Sequence, residues 1–356
     1  QQELTVAAGG REALSWPASV GDVGAARLRY SVSGGGYGDA IDLTLPVYHA
    51  TSPEVVGTAG QVEDQTLELI RLPLSAERSQ GDLTVHLEPS LAAGMREGLE
   101  FLKHYPYECV EQTVSRFLPN VVTYRALRAL GIERPDLEET LPDLVGTALQ
   151  RLYRGQNLDG GWGWWPRQRS DPLMTAYVVY GLVEANDAGF TVDEGSLGRG
   201  IDYLYSWLNR SSRNASPDLR ATVLYSLAYA GRGDLGRTVA LYDDSRHDMS
   251  VYALGFLAMS LEMMEPEETA RLDDLANEFA NAAIVSASGA HWEEEEIDRS
   301  SMNTNLRTSA IVLKALQQIA PDSGILPNAV RWLMTVRENA RWSTTQENVW
   351  AILALT

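Results

Sequence analysis

Two side chains in this sequence have the chemical types and the spacing needed to form a reactive bond with each other. Cys109 and Gln112 are three residues apart, so one helical turn would make them neighbours. Pro106 is excluded from a helix interior but suits a helix start, which places Cys109 in the first turn. There, unpaired N–H groups and the helix dipole are expected to lower the pKa of the thiol.

This arrangement predicts an intramolecular thioester. The Cys109 thiolate would attack the side-chain carboxamide of Gln112 and expel ammonia, leaving an acylating agent stored in the protein. The N–H groups at the helix start could stabilise the oxyanion when a nucleophile later attacks the Gln112 carbonyl. Spacing alone does not decide the matter, because a single cysteine is more often a small buried apolar residue.

The composition is typical of a folded protein with a strongly acidic surface. The 356 residues include 48 acidic and 29 basic side chains, which gives a net charge of -19. That charge would repel nucleic acid and anionic membrane surfaces, so neither is expected as a partner. The single cysteine excludes an intramolecular disulfide and a cysteine-rich zinc site. The chain begins Gln1-Gln2-Glu3, without a targeting signal, and is interpreted as a piece of a longer protein.

The first ninety residues have the pattern of β-strands, and the rest has the pattern of helices. Apolar and polar residues alternate at 27–32 and at 41–47, on either side of a glycine-rich turn, which predicts a hairpin. Similar alternation predicts strands at 67–72 and 83–87, and the whole is interpreted as an antiparallel β-sandwich portion. After Glu88-Pro89-Ser90 the spacing becomes helical to the end of the chain, with about eleven helices.

A weak internal repeat runs through the helical part. Residues 175–182, 309–316 and 348–355 are similar apolar segments, and 221–227 is a fainter copy. A loop containing a tryptophan precedes each of the first three copies, with Trp162, Trp292 and Trp342 in turn. Helices that are apolar on most sides fit a closed ring of helix pairs, an α/α toroid, better than an open solenoid. The predicted fold is therefore mainly α, with an α/α toroid that follows the β-rich portion along the chain.

Several stretches of the sequence resemble motifs of the thioester-containing α2-macroglobulin and complement family. Cys109-Val110-Glu111-Gln112, preceded by Tyr105-Pro106-Tyr107, resembles the family's thioester motif. Its continuation, Thr113 to Pro119, resembles the bacterial members in particular. The stretches 159–165 and 342–351 are similar to family segments at comparable distances downstream.

The resemblance implies a function and the residues that carry it. It implies a broad-spectrum protease trap: a cut in a bait region elsewhere exposes the thioester, which then acylates a lysine amine of the protease. The expected partners are therefore proteases and further macroglobulin-like domains of the same parent chain. No cofactor, no metal and no enzymatic turnover are implied. The reactive pair would be Cys109 and Gln112, with support from Tyr105, Tyr107, Glu111 and Trp162.

The same resemblance implies a domain organisation and a location. Residues 1–50 would be the end of a macroglobulin-like β-domain, and 51–89 would be the first half of a CUB-type β-domain. Residues 90–356 would be the α/α toroid thioester domain. The parent would be a protein of the bacterial cell envelope, periplasmic or extracellular, either free or lipid-anchored.

Other interpretations stay open from the sequence. Gln156 to Trp162 also resembles the Gln-Trp repeats of terpene cyclases, enzymes with the same toroid, although the acidic proton-donor motif of a cyclase is missing. A protein-binding module with an inactive thioester is a further alternative, and the retention of both Cys109 and Gln112 argues against it. The acidic run His291 to Asp298 is expected to be a solvated loop, since consecutive carboxylates rarely converge on one cation.

The acceptor of the acyl group can also be predicted. Asn157 to Arg169 resembles the loop that carries a relay histidine in complement-type members that prefer hydroxyl groups, and here it contains no histidine. Without that relay, a neutral amine is a better direct nucleophile toward a thioester than an alcohol is. Amide bonds to lysine are therefore expected, rather than esters to carbohydrate.

Overall fold

The computed structural model describes most of the chain. The described residues are 1–48, 64–67, 69–76, 81–85, 95–103, 109–129, 135–210, 215–267 and 269–356, with 52, 62, 87, 131 and 133 as single positions. The chain divides into two units, one made of 1–56 and 70–83, the other of 57–69 and 84–356. The first unit contains one β-hairpin, and the second contains all the described helices. None of those helices combines the length and the apolar character that a membrane crossing requires.

The β-hairpin predicted at the start of the chain is confirmed. Strands β1 (Gly24–Gly34) and β2 (Tyr37–Val47) pair in antiparallel register. Gly34 pairs with Tyr37, so Gly35 and Gly36 alone make the turn, and their φ angles of 58° and 86° suit a two-residue hairpin. This hairpin is the part of the β-sandwich portion that the described residues form. The described residues at 67–72 and 83–87 have no strand, because alternation makes a strand only where a partner supplies the hydrogen bonds.

The second unit is built from helices joined by short loops. Twelve α-helices lie in the described residues, where the sequence pattern predicts about eleven. They are α1 (Arg96–Lys103), α2 (Val110–Ala129), α3 (Pro135–Gly155), α4 (Pro172–Asp187), α5 (Glu194–Arg210), α6 (Pro217–Tyr229), α7 (Leu235–Ser245), α8 (Val251–Met264), α9 (Thr269–Ala282), α10 (Asn305–Ile319), α11 (Leu326–Thr335) and α12 (Thr345–Leu355). A short hairpin, β3 (Ile284–Ser286) with β4 (Gly289–His291), lies between α9 and α10.

The even-numbered helices form a closed inner ring. Each of them packs against the next even-numbered helix, and α12 packs against α2, which closes the ring. The odd-numbered helices pack around the outside against neighbouring inner helices, and α11 packs against α10 and β4. The inner helices are buried on nearly every side; in α8 every residue from Tyr252 to Leu261 is buried. The mainly helical α/α toroid is therefore confirmed, and the repeated apolar segments of the sequence lie in its inner helices α4, α6, α10 and α12.

The three tryptophan loops are built in the same way. Trp162, Trp292 and Trp342 are each almost fully buried between an outer helix and the following inner helix. Each indole N–H donates to a carbonyl of the preceding outer helix, at Leu152, Phe279 and Leu333. Each backbone N–H donates to a side-chain oxygen of the following inner helix, at Thr175, Ser309 and Asn348. Every loop is thus attached to both helices of its pair, which gives the sequence repeat a structural reason.

The acidic run of the sequence contributes a helix cap. The carboxylate of Glu294 accepts hydrogen bonds from the backbone N–H groups of Val251 (2.9 Å) and Tyr252 (3.0 Å), at the start of α8. A carboxylate at this end of a helix satisfies free donors and interacts well with the helix dipole. In the part of the chain that the structure describes, no cluster of three acidic, histidine or cysteine side chains could hold a metal ion.

Close packing between α2 and α4 leads to a prediction about stability. A Cβ added to Gly181 in α4 would lie 2.7 Å from Cγ1 of Val114 in α2, whereas one added to Gly146 in α3 would meet no atom within 4 Å. Gly181→Ala is therefore expected to lower the free energy of unfolding by about 1–3 kcal/mol through overpacking. Gly146→Ala, the matched control, should raise it by about 0.5–1 kcal/mol, since alanine favours the helix. Urea unfolding of both variants measures the difference, and equal effects would contradict the packing argument.

Candidate functional site

Cys109 and Gln112 make a reciprocal pair of hydrogen bonds at the start of α2. The backbone N–H of Cys109 donates to Oε1 of Gln112 at 3.2 Å. The backbone N–H of Gln112 in turn donates to Sγ of Cys109 at 3.4 Å. This is the pattern of a helix capping box, with a cysteine as the N-cap and a glutamine three residues later. The motif therefore brings the sulfur and the carboxamide side by side through ordinary helix-start geometry.

The helix begins later than the sequence pattern predicts. Cys109 was expected within the first turn, but α2 starts at Val110, so Cys109 is the residue before the first turn. At that position its own N–H is not used by the helix ladder and points to the carbonyl oxygen of Gln112. A tetrahedral adduct at the Gln112 carbon would place its negative charge on that oxygen. The N–H of Cys109 itself is therefore the candidate for the predicted oxyanion donor.

The predicted lowering of the Cys109 pKa is wrong. The side chain is buried, with 6% of its surface exposed. Burial raises the pKa of the thiol above its ordinary value, and the Glu111 carboxylate acts in the same direction. The N–H of Gln112 lowers this pKa, as a helix start should, but burial outweighs it. A free Cys109 is therefore a protonated thiol at neutral pH.

Glu111, between the two reactive residues, joins the first and last inner helices. It is 4% exposed. Its Oε1 accepts hydrogen bonds from Oγ of Ser115 (2.6 Å), Oγ1 of Thr345 (2.9 Å) and Nε2 of Gln346 (2.7 Å). Ser115 is also 2.9 Å from the hydroxyl of Tyr177 in α4. The buried carboxylate, between Cys109 and Gln112 in sequence, thus links α2 to α12 and, through Ser115, to α4.

This network makes Glu111 important for stability. Glu111→Ala would leave two buried donors and one half-buried donor without this acceptor, so the free energy of unfolding should fall by about 3 kcal/mol. Glu111→Gln keeps an oxygen acceptor and should cost only about 1 kcal/mol. Glu138→Ala is the control, because Glu138 is exposed and bonds only weakly to Tyr124 (3.4 Å). Urea unfolding of the three variants tests this, and equal stability of Glu111→Ala and Glu138→Ala would show that the network contributes little.

The loop between α3 and α4 lies against the start of the reactive helix. The carbonyl of Trp164 accepts a hydrogen bond from the backbone N–H of Val110 at 3.0 Å. A Cβ on Gly163 would lie 2.7 Å from the carbonyl oxygen of Arg169, so this turn has room only for glycine. Trp162, expected to support the site, holds this loop through its indole and backbone bonds, and its neighbour Trp164 makes the contact with α2. The loop resembling the relay loop is therefore placed beside the reactive pair.

The other residues singled out in the sequence lie elsewhere. Tyr105, Tyr107 and His104 lie outside the described residues. His291 lies in β4, which packs against α11, and its ring stacks on Trp332 at 4.6 Å.

The structure also identifies neighbours that sequence reasoning missed. Ser115, Tyr177, Thr345 and Gln346 contact Glu111 directly or through Ser115. Ser115 could have been found from its spacing of four residues from Glu111 on one helix face. Tyr177 and Gln346 are far away along the chain: the packing of α4 against α2 brings Tyr177 to the site, and the closure of the ring at α12 brings Gln346.

Comparison with known families gives a match over the start of the helical part. The family described as the A-macroglobulin TED domain matches residues 83–211. The α2-macroglobulin of Thermotoga maritima is 28% identical over 271 residues, which cover 75% of this chain and 15% of that protein. The α2-macroglobulin of Escherichia coli K12 is 26% identical over 285 residues, 76% of this chain and 16% of that protein. The chain thus spans about a sixth of the length of these curated relatives.

Solved structures show the same fold. The native α2-macroglobulin of Escherichia coli, from domain MG7 to the C-terminus, matches with a TM-score of 0.59 and 25% identity, over 73% of this chain and 41% of that one. Salmonella α2-macroglobulin reacted with methylamine matches with a TM-score of 0.60 and 23% identity, over 74% of this chain and 17% of that one.

Proposed function

The chain belongs to the thioester-containing α2-macroglobulin family, and from that premise we propose that its toroid carries a Cys109–Gln112 thioester that acylates lysine amines of attacking proteases. The observation that carries the proposal is the reciprocal hydrogen bonding of Cys109 and Gln112 at the start of α2. The bonds hold the sulfur next to the carboxamide and place an N–H on the oxygen that becomes negative. The protein would act as an inhibitor that is consumed, since each molecule holds one acyl group.

The thioester would form in two steps. The Cys109 sulfur attacks Cδ of Gln112, and the negative charge that develops on Oε1 is stabilised by the N–H of Cys109. The C–N bond of the carboxamide then breaks. Ammonia leaves with the thiol proton, and the S–C bond remains. Burial of Cys109 favours this outcome, because it excludes the water that would hydrolyse the product.

In the acylation reaction, Sγ of Cys109 would be the leaving group instead of the nucleophile, and Cδ of Gln112 would again be the electrophile. A neutral lysine amine attacks Cδ of Gln112, the S–C bond breaks, and an amide joins Gln112 to the protease. The amine proton passes to Sγ of Cys109, which accepts it readily because burial raises the thiol pKa. In the native parent chain, other domains would shield the site until a protease cuts the bait region.

The proposal extends to the parts of the chain before the toroid. We assign residues 1–50 to the end of a macroglobulin-like domain, 51–89 to the first half of a CUB-type domain, and 90–356 to the thioester domain. The exposed apolar side chains on β1 and β2, such as Val32 (70% exposed) and Ile41 (55%), support a position against further strands of the parent. We place that parent in the bacterial cell envelope, where proteases would be met.

Mass spectrometry tests the proposed function. The freshly prepared protein should be lighter than its sequence mass by one ammonia, with no titratable thiol. Methylamine should then add one methylamine to that mass, release the thiol of Cys109, and label Gln112 in peptide maps. Full sequence mass together with a titratable thiol in fresh protein would contradict the proposal, as would a label on another residue.

A further inference from the structure

A buried arginine, Arg307, lies among aromatic side chains of the inner helices. Arg307, in the first turn of α10, is only 2% exposed. Its guanidinium carbon lies 5.0 Å from the ring centre of Tyr252, 5.9 Å from that of Phe256 and 5.8 Å from that of Trp350. Cation–π contacts of this kind stabilise a buried guanidinium by much less than the cost of removing an ion from water.

The guanidinium does not have the hydrogen bonds that a buried cation requires. Nε and Nη1 of Arg307 are buried and have no hydrogen-bond partner among the described residues. Arginine stays protonated in proteins, so the charge cannot be removed by deprotonation. Buried charges in folded proteins are otherwise paired and hydrogen-bonded. Among the described residues, two nitrogen atoms of Arg307 therefore have no hydrogen-bond acceptor, and its positive charge has no ion-pair partner.

The nearby groups that could supply a negative charge are engaged elsewhere. Glu294 accepts from two backbone N–H groups of α8 and from Thr308, and Glu111 accepts from three side chains. Neither carboxylate forms an ion pair with Arg307 in the described part of the chain. Burial raises the pKa of Tyr252 to about 12, so its hydroxyl stays neutral at physiological pH. An ion from solution could therefore supply the charge that these groups do not bring into contact with Arg307.

Arg307 lines a cavity that an external ion could enter. The cavity is small, with a volume of about 20 Å³, enough for one occupant the size of a water molecule or a monatomic ion, and it is partly open to solvent. Five of its eleven lining residues are aromatic, and its polar lining includes Thr222, Ser226 and Gln346 besides Arg307. Two unpaired guanidinium donors and neighbouring hydroxyl and amide groups form an arrangement typical of an anion site. We propose that this cavity binds one small monovalent anion, such as chloride, on Arg307.

The charge balance selects the class of anion. One negative charge would neutralise Arg307, whereas a divalent anion would add a second charge close to the carboxylates of Glu111 and Glu294. The apolar wall favours an ion with weak hydration, since the ion must lose most of its water to enter. Gln346 both lines the cavity and donates to Glu111, so the bound anion would lie one side chain away from the network behind Cys109.

Two measurements on the whole chain test the site. Crystals grown or soaked in bromide should show an anomalous peak within hydrogen-bonding distance of the Arg307 guanidinium. In solution, chloride-35 NMR at constant ionic strength, with gluconate replacing chloride, should show excess line broadening that saturates. Arg307→Met should reduce this broadening at least tenfold and remove the bromide peak. In gluconate without chloride, where the buried charge of Arg307 has no counter-ion, this variant should be at least as stable as the wild type.

Controls keep the outcome interpretable. Arg246→Met is the matched variant, since Arg246 also lies over a ring, at 4.6 Å from the centre of Tyr242, but has no place in the cavity. It should leave the chloride broadening unchanged. If Arg307→Met fails to fold, the bromide peak in the wild type still decides the question. A wild-type crystal without a peak at Arg307, or equal broadening in both methionine variants, would overturn the site.

Discussion

Replacing Cys109 with serine is expected to abolish covalent uptake of methylamine while leaving the toroid folded. Serine is a good N-cap, so the start of α2 should be as stable as before. Serine, however, has no sulfur and cannot form a thioester, and its hydroxyl is a weaker nucleophile toward a carboxamide than a thiol is. Cys109→Ala should also abolish uptake, with a loss of about 1 kcal/mol in stability, because it removes only a small side chain. Labelled methylamine and intact mass measure uptake, and circular dichroism measures the fold.

Two replacements of Gln112 separate its chemistry from its structural role. Gln112→Glu keeps the length of the side chain and an oxygen for the N–H of Cys109, but its carboxylate carries no leaving group that a thiol can displace. Gln112→Ala removes the acyl carbon altogether. Both should take up no amine, and Gln112→Glu should unfold at nearly the wild-type denaturant concentration. Uptake equal to wild type in any of these four variants would show that the label is attached elsewhere.

The proximity of Cys109 and Gln112 was predictable from the sequence because it is local. Cys109 and Gln112 need only one helical turn to become neighbours, and the spacing of three residues predicts that turn. The same locality made the internal repeat visible, since each tryptophan loop is followed by its own inner helix. The details that depend on a single residue were less accessible. The sequence predicts Cys109 in the first turn, whereas the structure makes it the N-cap residue. This difference of one position determines which backbone N–H faces Oε1 of Gln112.

The sign of the Cys109 pKa shift could not be predicted from neighbours along the chain. The helix-start N–H of Gln112 acts as expected, but burial by the surrounding ring has the larger effect. Burial depends on which inner helices meet, and α12 reaches α2 only because the ring closes. The network around Glu111 has the same origin, since Gln346 is 235 positions away along the chain. Local chemistry is therefore predictable here, whereas the environment that tunes it requires the closed fold.

Amines and alcohols are expected to differ most in the rate at which the thioester acylates them. The loop resembling the relay loop contacts the start of α2 through Trp164 and Val110, so it occupies the place from which a relay would act. No histidine lies in Asn157 to Arg169. Histidine catalysis of this kind contributes roughly 10²–10⁴-fold, and without it only a strong direct nucleophile reacts at a useful rate. A neutral amine should therefore outcompete an alcohol by at least that factor.

Competition between labelled methylamine and labelled glycerol measures this preference. Both should be present at equal concentration during activation of the parent protein by a protease, at one fixed pH so that the neutral fraction of the amine is constant. Nearly all the label should form an amide on Gln112 that resists hydroxylamine. A predominant ester, released by hydroxylamine, would mean that another histidine acts as a relay. The variant His291→Ala would then separate the candidates. In the wild type the His291 ring stacks on Trp332 of α11, so a loss of ester formation in the variant would mean that this segment moves on activation. Unchanged ester formation would leave His104 as the relay to test.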